Sequence, residues 1–134
     1  MEITVGGLQV HYIDQGPRDS GKSVLLLHGW GVDGSLYHLI TDHLSPRCRM
    51  VVPDLPGFGG SQVPSTPWDV DAYADFVLQF IAALRLDRLI VMGHSNGGRI
   101  LIKLLSRENL PFKVEKAILL DSAGIKPRHG FSYY

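Results

Sequence analysis

Short apolar runs alternate with longer amphipathic segments along most of the 134-residue chain. Two runs, 23–28 and 88–92, are almost continuously apolar over strand length, which is typical of strands buried on both faces of a parallel sheet. Shorter runs with strand character lie at 3–5, 8–14, 49–53 and 116–120. The first two of these flank Gly6 and Gly7, which predicts a β-hairpin with a two-residue turn.

Three segments between the predicted strands have helical periodicity. Apolar residues recur every three to four positions at 36–44 and at 70–84, and a third helix begins within the glycine-rich turn 93–98 and continues through 100–105. Ser35 is the predicted N-cap of the first helix, and Asp69, with Thr66 as the alternative, caps the second. The alternation predicts an α/β fold: a doubly wound, mostly parallel sheet of about six strands with helices on both faces.

Composition limits the class of protein further. Hydrophobic residues make up 45% and charged residues 19%, as in an ordinary globular domain, and no repeat or linker divides residues 1–134 into separate units. No apolar run approaches the roughly 20 residues that span a bilayer, and the first residues lack the pattern of a secretory signal. The single cysteine, Cys48, excludes an internal disulfide framework and a multi-cysteine zinc site. We therefore expect a cytoplasmic protein that does not bind membranes.

The charged residues are balanced in number but unevenly placed. The net charge of zero argues against a general nucleic-acid-binding protein. Residues 1–87 carry 5 basic and 10 acidic side chains, whereas residues 88–134 carry 8 basic and 3 acidic ones. A basic partner surface is one interpretation of this asymmetry, and scattered surface charge is the other.

The most specific motif is a G-x-S-x-G pentapeptide, Gly93-His94-Ser95-Asn96-Gly97, between the strand 88–92 and the third helix. We call this turn the elbow. A nucleophilic serine at the end of a strand must stand clear of the backbone on a very tight turn, and such a turn has no room for side chains two residues before and after the serine. The helix that follows places the positive end of its dipole and its free N–H groups beneath the serine, where they stabilise negative charge that develops on a substrate oxygen.

A second motif, His28-Gly29-Trp30-Gly31, directly follows the strand 23–28. With DLPGFGGS at 54–61, GHSNGG at 93–98 and AILLDSAG at 117–124, it makes the chain resemble the α/β-hydrolase superfamily. The resemblance covers nearly all of this chain but only the first half or so of a typical member. Residues 125–134 look like the entry to the lid segment of such enzymes.

The resemblance implies a serine hydrolase that acts on a carboxylic ester or similar acyl substrate through an acyl-enzyme, without cofactor or metal. Ser95 would be the nucleophile, and the backbone N–H groups of Trp30 and Asn96 would form the oxyanion hole. His28 is expected to brace its loop. The remaining motif residues are expected to shape the turn and line the site: Gly29, Gly31, Gly93, His94 and Gly97. Serine at the elbow disfavours the related dehalogenase and epoxide-hydrolase branches, which use aspartate, while thioester, C–C bond and peroxide-forming chemistries stay open.

A serine hydroxyl needs a base, which is usually a histidine oriented by a carboxylate. In this superfamily the acid and the histidine usually follow the seventh and eighth strands, and the predicted strands here end at the sixth. Asp121 is a candidate acid, and the alternative is that it caps the end of the strand and braces a loop. His129 would complete the order Ser95, Asp121, His129, whereas His11, His38 and His43 are expected to be ordinary surface or core residues.

The chain is therefore interpreted as an incomplete hydrolase. The alternative is a catalytically inactive fragment, or a module that binds an acyl ligand or a partner. Without a seventh strand, segment 116–120 would be an apolar sheet edge, which predicts self-association or pairing with another strand.

Residues 16–23, GPRDSGKS, fit the G-x-x-x-x-G-K-[ST] pattern of a phosphate-binding loop. Such a loop requires a helix directly after the Lys-Ser pair. The apolar run from Ser23 predicts a strand instead, so nucleotide hydrolysis is a minor alternative.

Overall fold

A computed structural model describes residues 1–18 and 21–122. Its strands are β1 (Glu2–Val5), β2 (Leu8–Gln15), β3 (Ser23–Leu27), β4 (Arg49–Pro53), β5 (Arg88–His94) and β6 (Lys113–Leu120). Its helices are α1 (His38–Leu44), α2 (Val70–Ala83) and α3 (Asn96–Leu105), and a 3₁₀ turn, Gly34–Tyr37, leads into α1. No helix in these two ranges is long and apolar enough to cross a membrane.

The strands form one sheet in the order β1-β2-β4-β3-β5-β6. The β1–β2 hairpin is antiparallel and β2 runs antiparallel to β4, while β4, β3, β5 and β6 are mutually parallel. From β3 the chain passes first to β4 on one side and then to β5 on the other. The strand order therefore reverses beside β3, and in open α/β sheets ligands bind at the carboxyl ends of the strands at such a reversal.

Alternate residues of the central strands enter two separate cores. Leu25 and Leu27 of β3 pack with residues of α2 and α3, whereas Val24 and Leu26 pack with residues of the 3₁₀ turn and α1. All four leucine and valine side chains are buried. The continuous apolar run therefore reflects burial on both faces, and the predicted doubly wound sheet with helices on both faces is confirmed.

The N-cap predicted for the first helix is wrong. Asp33 is the capping residue, because its carboxylate accepts a hydrogen bond from Ser35 N at 2.9 Å and starts the 3₁₀ turn, so the α-helix begins only at His38. The second prediction is confirmed, since Asp69 accepts from Ala72 N at 2.8 Å. Lys22 is followed directly by strand β3. A phosphate-binding loop requires a helix at this position, so segment 16–23 is not such a loop.

Strand β6 begins at Lys113, three residues before the predicted start. Lys113 N donates to Asp87 O at 2.7 Å, and an irregularity beside Leu89 and Ile90 shifts the β5–β6 register. In the described part of the chain β6 pairs only with β5, so its other edge is open. The predicted lid segment 125–134 and His129 lie outside the described residues.

Candidate active site

The two glycine-rich motifs meet at the reversal of strand order. Leu27, the last residue of β3, pairs with Gly93 near the end of β5, so the loops that follow these strands leave the sheet side by side. The third parallel strand contributes as well, because Ser95 N donates to Leu120 O of β6 at 3.1 Å. The carboxyl ends of three strands therefore position Ser95.

Ser95 has the backbone conformation of a strained turn. Its φ of 54° and ψ of −118° lie outside the regions that L-residues normally adopt, which costs on the order of 1–3 kcal/mol. Helix α3 begins at the next residue, and Gly98 N and Arg99 N donate back to Ser95 O at 3.1 and 3.4 Å. The surrounding hydrogen bonds hold the serine in this conformation, at the point where β5 ends and α3 starts.

Close backbone contacts explain the glycines of the elbow. A Cβ on Gly97 would lie 2.2 Å from Leu27 O, and one on Gly93 would lie 2.7 Å from the Cα of Gly98. A Cβ on Gly29 would lie 3.1 Å from the Cβ of Ser95. The strand, the loop after β3 and the start of α3 therefore pack backbone against backbone around the serine, which leaves no space for a side chain at Gly93 or Gly97.

His28 is fully buried, and both of its ring nitrogens are engaged. Leu55 N can only donate, so Nε2 accepts from it at 2.8 Å, and Nδ1 consequently carries the proton that is donated to Gly29 O at 2.7 Å. Burial lowers the pKa of His28, so the ring is neutral at neutral pH. A histidine with both nitrogens occupied cannot take a proton from Ser95.

The bond from His28 also determines the direction of the next amide. Because the peptide between Gly29 and Trp30 is trans, fixing Gly29 O on one side points Trp30 N–H to the opposite side. The Trp30 indole is 48% exposed and packs on Phe58 and Tyr73, with ring centroids 4.8 and 5.1 Å apart. The indole is thus a partly exposed aromatic surface beside the loop that contains Phe58.

Asn96, the first residue of α3, offers two donors. Its backbone N–H has no carbonyl one turn back within the helix to receive it. Its side chain is only 4% exposed, and Nδ2 has no hydrogen-bond partner among the residues that the structure describes.

Two residues that the sequence analysis did not single out connect the loops of the site. The buried carboxylate of Asp54 accepts from Gly34 N at 2.7 Å and from Gly60 N at 3.0 Å, which joins the loop after β3 to the loop after β4. Tyr37 joins the loop after β3 to the elbow through its hydroxyl. The DLPGFGGS motif contained Asp54, but no local pattern marked Tyr37.

The candidate acid and base are not brought together in the described residues. Asp121 follows Leu120 at the carboxyl end of β6 and is exposed, with a φ of 44°. Within residues 1–18 and 21–122 no histidine is hydrogen-bonded to Asp121 or to Ser95 Oγ; His11 and His43 lie on β2 and α1, and His38 Nδ1 is 3.3 Å from Ser35 O. The same ranges hold no cluster of three ligand-type side chains suited to a metal ion.

The chain is similar to several known proteins. The family model described as alpha/beta hydrolase fold matches residues 22–133. A non-heme chloroperoxidase from Streptomyces lividans is 35% identical over 120 residues, which are 89% of this chain and 43% of the relative. Among solved structures, an esterase from Exiguobacterium antarcticum is 28% identical with a TM-score of 0.83, over 92% of this chain and 46% of that one.

A membrane phospholipase A, described as a novel bacterial virulence factor, is 33% identical with a TM-score of 0.87. This similarity covers 97% of the chain and 41% of the phospholipase. The chain therefore spans less than half the length of these three relatives.

Proposed function

The chain belongs to the alpha/beta hydrolase fold family, and from this premise we propose that it carries the nucleophile and oxyanion hole of a serine hydrolase that acts on carboxylic esters or similar acyl compounds. Two similar structures are named an esterase and a phospholipase A, which supports ester substrates. A chloroperoxidase is also among the relatives, so peroxide-forming chemistry on the same scaffold stays open.

The observation that carries the proposal is the backbone of Ser95. A serine held at a φ of 54° between a strand and a helix N-terminus, at the reversal of strand order, is strained in the way that functional residues are.

In the proposed reaction Ser95 Oγ attacks the acyl carbonyl and its proton passes to a general base. No histidine of residues 1–18 and 21–122 is hydrogen-bonded to Ser95 Oγ to serve as this base. The N–H groups of Trp30 and Asn96 donate to the oxyanion of the tetrahedral intermediate. When the intermediate collapses, the C–O bond to the alcohol breaks, the alcohol takes the proton, and an acyl-Ser95 ester remains for water to hydrolyse. This acyl transfer uses only side chains and backbone amides.

Active-site labelling tests the proposal directly. We expect a fluorophosphonate probe to add one phosphonyl group to the purified chain, detected by intact mass, and to leave Ser95→Ala unlabelled. The probe reacts with activated serines, so surface hydroxyls such as that of Ser106 should stay unlabelled and serve as internal controls. A folded wild-type chain that stays unlabelled, or a Ser95→Ala variant that is labelled equally, would refute the proposal for this chain.

A second candidate is a module that binds an acyl ligand without turning it over. It is favoured by the lack of any histidine hydrogen-bonded to Ser95 Oγ within residues 1–18 and 21–122. This candidate predicts no labelling and a p-nitrophenyl acetate hydrolysis rate that Ser95→Ala does not change. A rate that falls to the background in Ser95→Ala would exclude it.

A further inference from the structure

One buried hydroxyl contacts both halves of the site. Tyr37 ends the 3₁₀ turn before α1 and is 6% exposed. Its hydroxyl oxygen is 3.3 Å from Gly29 N and 2.7 Å from His94 Nδ1. Gly29 N–H can only donate, so the hydroxyl oxygen accepts this bond and its own proton is left for His94 Nδ1.

These bonds complete the anchoring of Gly29. Its N–H donates to Tyr37 and its C=O accepts from His28, so both polar groups of this residue are occupied by buried side chains. Gly29 N–H is therefore not available to a substrate, and Trp30 N–H is the next amide along the loop. Gly29 also packs directly against Ser95, since a Cβ there would lie 3.1 Å from Ser95 Cβ.

The other end of the bridge lies on the nucleophile turn. His94 immediately precedes Ser95, and its ring packs edge-on against the Tyr37 ring with centroids 5.7 Å apart. Burial raises the pKa of Tyr37, so the phenol keeps its proton at neutral pH. A single rigid side chain thus connects the loop after β3 to the turn after β5.

We propose that Tyr37 is a positioning residue that sets the distance between the oxyanion-hole amide of Trp30 and Ser95 Oγ. The inference rests on the proposed function, because the distance matters only if a tetrahedral intermediate forms there. Tyr37 itself touches neither substrate nor nucleophile and acts through Gly29 and His94. Misplacement of about 1 Å in such a constellation is expected to slow acylation by up to about a hundredfold.

Tyr37→Phe is the direct test, with Tyr73→Phe as a matched control. Tyr73 is equally buried and its hydroxyl also makes a buried hydrogen bond, to Pro56 O at 2.8 Å, but this hydroxyl touches neither Gly29 nor His94. We expect Tyr37→Phe to lower the rate constant of fluorophosphonate labelling, and kcat for p-nitrophenyl acetate, at least about tenfold with KM little changed. Tyr73→Phe should lose stability to a similar degree and keep the labelling rate. A folded Tyr37→Phe variant that is labelled at the wild-type rate would overturn the inference.

Amide hydrogen exchange separates this inference from the proposed function. The Gly29 N–H should exchange faster in Tyr37→Phe than in the wild type or in Tyr73→Phe, whether or not Ser95 is reactive. If the wild type is never labelled, the proposed function fails and Tyr37 has no acylation to assist. Unchanged Gly29 exchange would refute the bridge itself.

A second variant covers the case in which Tyr37→Phe does not fold. His94→Leu removes the acceptor while leaving the bond from Gly29 to Tyr37, and it should slow labelling in the same direction. His94→Asn, whose Oδ1 replaces Nδ1 as the acceptor, should recover part of that loss. Equal rates in the leucine and asparagine variants would overturn the proposed role of the bridge.

Discussion

At the scale of single residues, the buried carboxylate of Asp54 joins two loops beside the candidate site. Its two oxygens accept from Gly34 N and Gly60 N. Asp54→Asn keeps the size of the side chain but turns one acceptor into an NH₂ group that faces a backbone N–H. We expect a loss of about 1–3 kcal/mol in the free energy of unfolding, measured with urea, because a buried donor is left without its acceptor. Asp42→Asn, a change of the same kind on the exposed side of α1, should change stability little, and equal losses in both variants would contradict this role of Asp54.

The residues of the site differ in how far the sequence predicts them. Ser95 and its flanking glycines follow from local sterics, since a tight strand-to-helix turn has the same requirements wherever it occurs. Tyr37 and Asp54 act across 57 and 20 residues of sequence, as in the bonds Tyr37–His94 and Asp54–Gly34. Such pairs depend on the register of the sheet and on loop packing, which no local pattern contains.

At the scale of elements, a charged pair links β2 to β4. Arg49 Nε and Nη2 donate to the two carboxylate oxygens of Asp14 at 2.9 and 2.7 Å, and the Asp14 side chain is 2% exposed. The hydrogen bond from Arg49 lowers the pKa of Asp14 in the folded state. A carboxylate whose pKa is depressed by folding contributes stability above its unfolded pKa and loses it as the pH falls through the folded value.

We therefore expect the wild type to be more stable than Asp14→Asn by about 1–3 kcal/mol at pH 7. This difference should hold down to about pH 4 and shrink below it, where Asp14 becomes protonated in the folded state too. Urea unfolding of both proteins between neutral and acidic pH measures the difference. A gap that is the same at pH 3 and pH 7 would show that the carboxylate charge does not contribute.

Elements defined by uninterrupted apolar runs are predicted closely, whereas polar signals predict element ends unevenly: Asp69 caps α2 as predicted, but the starts of α1 and β6 are misplaced. Strands β3 and β5 follow from burial on both faces, which requires apolar residues at every position. The start of α1 is misplaced because a 3₁₀ turn capped by Asp33 precedes it. Whether the Asp33 carboxylate or the Ser35 hydroxyl accepts a backbone N–H depends on loop geometry that the sequence does not contain. The start of β6 is missed because Lys113, Glu115 and Lys116 are exposed, so alternating burial does not appear in the sequence.

At the scale of the whole molecule, we expect the open edge of β6 to affect how the 134-residue chain associates in solution. Its last four residues, Ala117–Leu120, are apolar and only partly covered, and its outer backbone groups have no strand partner in the described part of the chain. In a purified sample a second copy of the chain can offer a strand to this edge, so we propose that β6 pairs with β6 of another molecule. Light scattering after gel filtration should show a mass that rises with concentration for the wild type and remains that of one chain for Leu119→Lys, because the two introduced charges would repel across the pairing. Leu39→Lys makes the same change on α1, at a leucine 74% exposed, and should associate like the wild type. Association that both variants weaken equally, or a wild type that stays monomeric, would contradict pairing through β6.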